Sequence, residues 1–219
     1  MSIEKIKHIR DVLHIGLVEA KQLLIAHGTV ESAIEKWKDK QAQLIELEKN
    51  KKYINFNDWF YIKEFFVECS QQFFNTDDTI PNKIKPLSEN YARQLWNTYV
   101  SEKHRHLMMV KSDEDWNITN VKSFAQEWNW GTSWNQNEYS AFEKHVKDRL
   151  DWEDHDIIYF FWGRYTAAEI SWETLYKYWI PFMYEDEMNI VINPKSSMVL
   201  IIGVSGSIGI GERIESFKK

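Results

Sequence analysis

The chain has 219 residues, 43% of them hydrophobic and 15% aromatic, with 11 Trp, one Cys and a formal charge of −6. Only 4 Pro and 8 Gly interrupt it, so a disordered or low-complexity chain is excluded and a packed core is expected. Cys69 cannot close an internal disulfide, and neither a signal-peptide core nor a bilayer-spanning apolar run of roughly 20 residues is found, so the expected location is cytoplasmic and no membrane association is expected.

Charge and tryptophan divide the chain. Residues 1–52 carry ten Lys and Arg against eight Asp and Glu and hold one Trp, Trp37; the remainder carries 17 against 25 and holds ten. Two domains are expected, 1–51 and 52–219. In the first, Ile3, Ile6, Ile9 and Leu13 mark one amphipathic helix, and Leu17, Ala20, Leu23 and Leu24 mark a second that ends at Gly28. Thr29 caps a third, with Glu31 in its first turn and Ala33, Ile34 and Trp37 on its apolar face. Gln41, Leu44, Ile45 and Glu48 continue it as a solvated helical spacer into the charged 46–52 run.

The segments Ile9–Lys21 and Gly28–Ile34 resemble a ubiquitin-associated-type three-helix bundle, most closely the N-terminal module of elongation factor Ts. The resemblance implies a docking module whose first loop, His14, Ile15, Gly16 and Leu17, meets a partner protein. Otherwise these residues pack the bundle or dock it on the second domain.

In the second segment, aromatic residues crowd 53–74. Ser88 caps a helix bearing Tyr91, Leu95, Trp96 and Tyr99, and 112–137 reads as a loop-rich stretch pinned by Trp116, Trp128, Trp130 and Trp134. A helix starting at Asn135 or Asn137 carries Phe142, Val146 and Leu150. Ile157–Trp162 is a continuous β-branched and aromatic run, as in a buried central strand. Ser171 opens a helix that Pro181 ends, and Met188–Ile192, Met198–Val204 and Ile208–Ile210 follow as strands joined by turns at 193–196 and 205–207. The order predicts α+β: a small helical bundle, then a domain ending in a small antiparallel sheet. Ile84–Leu87 with Ala92–Trp96, Trp172–Trp179 and Glu185–Glu187 resemble an uncharacterised gammaproteobacterial family of unknown function, a resemblance that implies a fold boundary and no chemistry.

Catalytic and cofactor motifs are lacking. His104 and His106 are separated by one residue and His145 stands three before Asp148, without the further ligands a metal site needs. Gly203–Ser207 departs from a nucleophile elbow, and Gly206, Gly209 and Gly211 do not form a dinucleotide fingerprint. No metal or other cofactor is expected, and a hydrolase using His104, His106 or His145 is the third reading. The distinctive polar features are acidic runs beside Trp: Asp151, Trp152, Glu153, Asp154 and Asp156; Glu185, Asp186 and Glu187; Asp113 and Trp116. Such patches repel a phosphate backbone, so no nucleic-acid partner is expected, and they attract a basic protein. The leading expectation is therefore a non-catalytic immunity protein that neutralises a basic toxin through an acidic aromatic surface; the alternative is an accessory factor of translation or chaperone machinery docked through its N-terminal bundle. The sequence does not set the oligomeric state.

Overall fold

Ser2 opens the first helix by accepting the Glu4 N–H on its hydroxyl oxygen, and α1 runs over Ile3–Leu13. His14 closes it in the left-handed region at φ 54°, its N–H returning to the Arg10 carbonyl. After Gly16, α2 spans Leu17–His27 and Gly28 ends it at φ 77°, a backbone conformation that favours glycine. Thr29 accepts the Ser32 N–H at the start of α3, Val30–Lys49. Ile9, Leu13, Ala20, Leu24 and Ala33 form the core of this three-helix unit. The computed structural model describes residues 2–59, 82–104, 117–124, 126–136, 138, 140–183, 188–203 and 206–213, with the side chains of 48, 57 and 134 excepted. It divides into two compact units, residues 1–51 and 52–219.

Among the described residues of the second unit, the elements are β1 (Lys85–Pro86), α4 (Glu89–Tyr99), β2 (Ile118–Ser123), α5 (Trp130–Asn135), α6 (Ala141–Val146), β3 (Ile157–Gly163), β4 (Thr166–Ser171), α7 (Trp172–Lys177), β5 (Asn189–Ile192), β6 (Met198–Ile202) and β7 (Ile208–Arg213). The strands make one antiparallel seven-stranded sheet in the order β1-β4-β3-β5-β6-β7-β2. The fold is α+β, as the order of sequence patterns predicts. Ser88 and Ser171 cap α4 and α7 by accepting the N–H groups of Tyr91 and Thr174.

Both faces of the sheet's central strands are buried. Ile158, Phe160 and Trp162 of β3 point to one core together with Ala168, Ile170, Val191, Leu200 and Ile202, under Phe142, Trp172, Trp179 and Phe182. Tyr159 and Phe161 point to the opposite core with Ala167, Ile190, Ile192, Val199 and Ile201, under Ala92 and Trp96 of α4. The two-sided burial explains why β3 reads as an unbroken apolar run although its neighbours are antiparallel.

The same packing explains what sequence pattern misses. In β4, Ala168 lies opposite Phe160 and Ala167 opposite Phe161, small against large across the ladder. The resulting Thr-Ala-Ala-Glu-Ile-Ser has no strand signature. Residues 112–137 contain β2 and α5 where a loop is expected, and β2 is hard to read because Thr119–Ser123 are exposed and Asn120 bulges at φ 53°. The helix begun at Ser171 stops at Lys177, short of Pro181, and the chain forms a 3-10 turn over Ile180–Met183.

β2 lies so close to β7 that a Cβ at Gly211 would sit 2.5 Å from Ile118 Cγ2 and 3.1 Å from Val121 Cγ2. Branched side chains cannot swing aside, so Gly211→Ala should cost about 1–3 kcal/mol through overpacking and lower Tm by several degrees. A thermal melt of the variant that matches the parent would contradict this packing.

Candidate functional site

The acidic run at 151–156 lies between α6 and β3, and its members have different surroundings. Trp152 is 5% exposed, and its ring meets Trp172 edge-on at 4.9 Å. It is part of the core and is not the surface anchor expected from its acidic neighbours, because burying a large indole outweighs the pull of nearby carboxylates toward water. Asp156 is likewise buried, at 6% exposure. Asp151, Glu153 and Asp154 are exposed.

Asp156 ties this run to the β5–β6 turn. Its Oδ1 accepts from Lys195 Nζ at 2.7 Å; its Oδ2 accepts from Asn193 Nδ2 at 2.9 Å and from the Glu153 N–H at 3.1 Å. The Lys195 hydrogen bond holds the carboxyl below the usual carboxylate range against burial, and the Glu153 and Asn193 donors add to it. Beside it, Ser196 Oγ donates to Asp151 at 2.7 Å and accepts the Met198 N–H. From the other side, Arg213 at the end of β7 donates to the Asn193 and Ser196 carbonyls and lies over the Tyr99 ring at 4.9 Å. The 193–196 turn is thus gripped on both sides. Asp154 takes Lys147 Nζ at 3.1 Å, so a neighbouring cation offsets part of the acidic run.

A second buried carboxylate, which sequence reasoning missed, is Glu169 on β4. Its Oε2 accepts from Lys52 Nζ at 2.7 Å, its Oε1 from Tyr53 Oη at 2.8 Å, and Lys85 Nζ stands 3.5 Å away. Burial would raise its pKa, but these partners outweigh burial and hold the carboxyl below its ordinary value. Tyr159, opposite Glu169 in the ladder, is pushed up to about 12, mainly by burial. The sequence offers one signal for this cluster, a lone Glu in an otherwise uncharged Thr-Ala-Ala-Glu-Ile-Ser stretch; its partners lie over 80 positions away.

In the helical unit, Ile15 packs against the core while Leu17 is 48% and Val18 72% exposed beside the His14–Gly16 turn. Glu185, Asp186, Glu187, Asp113, Trp116, His106 and Cys69 lie outside the described residues. His145 stacks on Trp128 at 5.0 Å, and the His104 carbonyl accepts the Trp96 indole N–H. Among the described residues, no three His, Cys, Asp or Glu side chains converge as a metal site, and no helix is long and apolar enough to cross a membrane.

These features define a protein with a three-helix unit followed by an α+β domain, its sheet covered by helices on both faces and pinned by buried carboxylates. A family model described as "Protein of unknown function (DUF2947)" matches residues 53–211, and the chain belongs to that family. No curated protein and no solved structure matches the chain.

Asp156→Asn should lower stability at neutral pH by about 2 kcal/mol, the order expected for weakened hydrogen bonds to a charged group. Because folding depresses the Asp156 pKa, its contribution is present above the unfolded value of about 3.9 and is lost as pH falls through the folded value. Urea unfolding of both forms should therefore show a gap at neutral pH that narrows below about pH 4. A gap that stays constant down to about pH 2 would contradict the assignment.

Proposed function

We propose that this chain is a protein-binding protein that meets its partner through the N-terminal three-helix unit. The observation that carries the reading is the distribution of exposed apolar side chains: eight large ones in residues 1–51 are exposed, against three among the described residues of 52–219. Leu17 and Val18 begin α2, and Ile25, 60% exposed, lies seven residues after Val18 on the same face. Apolar surface concentrated in the smaller unit favours a protein contact, since burying it releases about 25 cal/mol per Å². The elongation-factor-like resemblance of the same turn supports the finer reading of an accessory factor of translation or chaperone machinery.

The immunity reading rests on a different observation. Once Asp156 and Trp152 are assigned to the interior, Asp148, Asp151 and Glu153 still form an exposed acidic rim on a domain with a carboxylate excess. A rim of this kind acts on association rate more than on affinity.

Quantitative affinity capture followed by chemical cross-linking separates the two readings. With the full chain as bait, Leu17→Asp with Val18→Asp should reduce recovery of the cross-linked partner at least tenfold while the thermal melt is unchanged. Asp151→Lys with Glu153→Lys should leave recovery intact. The opposite pattern would replace helical-unit docking with the acidic-surface reading, and equal recovery with both variants would remove both surfaces.

A further inference from the structure

We propose that the cleft beside the Glu169 cluster binds a small organic dicarboxylate. The cavity, about 320 Å³, lies where the two-residue β1 stops while β4 continues to Ser171. Lys83, Lys85, Ile157, Ile170, Ser171 and Thr174 line it together with Glu169 and Glu173.

Both carboxylates that line the cleft are already engaged by cations from outside it. Glu169 already holds Lys52 and Tyr53 at 2.7 and 2.8 Å, and Glu173 is paired with Lys177. Lys85 keeps only the longest Glu169 contact, 3.5 Å, with its side chain 58% exposed. Lys83 forms no ion pair among the described residues, and its Nζ lies 5.5 Å from the centre of the Tyr178 ring. Lys83, in helical backbone, and Lys85, the first residue of β1, thus bring two ammonium groups to the cleft with charge left to satisfy. This is a local exception in a domain whose carboxylates outnumber its cations.

The uncharged groups favour an organic anion. Ser171 and Thr174 hydroxyls stand 2.8 Å apart and share one hydrogen bond, which leaves one hydroxyl hydrogen for an incoming acceptor oxygen. Ile157, 41% exposed, and Ile170 supply apolar wall for a short carbon skeleton. The volume is at the small end of ligand pockets, suited to a few carbons between two carboxylates.

Calorimetric titration of the full chain with succinate at low ionic strength, paired with backbone amide shift mapping, tests the site. Saturable binding is expected, with shifts centred on Ile157 and on Ile170–Thr174. Lys83→Gln with Lys85→Gln should weaken it at least tenfold; both side chains are exposed, and an unchanged thermal melt establishes that the fold survives. Lys122→Gln, on β2, should leave binding unchanged, and added NaCl should weaken it. Non-saturating shifts, or binding that survives the double substitution, would overturn the site. Inorganic phosphate binding as tightly as succinate would overturn the dicarboxylate assignment.

Discussion

An antiparallel sheet covered on both faces is the constraint from which the rest of the second unit follows. A one-sided sheet can alternate apolar and polar residues, but here the side chains of Ile158–Trp162, Asn189–Ile192 and Val199–Ile202 are buried on both faces. Bulk on one strand must then be met by small residues on the next, as Phe160 and Phe161 are met by Ala168 and Ala167. Trp, Phe and Tyr fill the remaining space in edge-on and stacked pairs such as Phe142 against Trp179 and Trp96 against Phe161. The large aromatic content is accounted for in good part by this demand for volume on two sides.

Such a sheet tolerates charge only where it is fully answered. Glu169 and Asp156 are the two buried carboxylates among the described residues, and each has three donors within 3.5 Å. Glu169 joins β4 to residues 52 and 53, while Asp156 joins the start of β3 to the β5–β6 turn. Removing Asp156 would leave the buried Asn193 amide without its acceptor, which costs more than the net value of the bond itself, whereas Lys52, Lys85 and Lys195 keep access to water. The acidic runs thus have a divided character: Asp156 is a structural clamp, and Asp151, Glu153 and Asp154 remain at the surface.

How much of this was legible in the sequence depends on whether the signal was local. Helices α1, α2, α4 and α7 announce themselves through period and cap, as Ser88 and Ser171 illustrate. β3 is legible because it supplies the bulk of both cores. β4 is not, because its alanines make sense only opposite Phe160 and Phe161, and β2 is not, because its exposed, bulged backbone takes its register from β7. At the candidate sites the same rule holds. Acidity next to Trp suggests a surface at 151–156, but Trp152 obeys the core and Asp156 obeys Lys195 and Asn193, some 40 positions away. The Lys52–Tyr53–Glu169–Lys85 cluster draws on three distant segments, which no spacing rule links.

Native-state hydrogen exchange of the full chain tests two-sided burial most directly. Amides of Ile158–Trp162, Ile190–Ile192 and Val199–Ile202 should exchange together and only through global unfolding, with equal opening free energies matching that from urea denaturation. Exchange of any of these strands within minutes at neutral pH, through openings much cheaper than global unfolding, would contradict a sheet sealed on both faces.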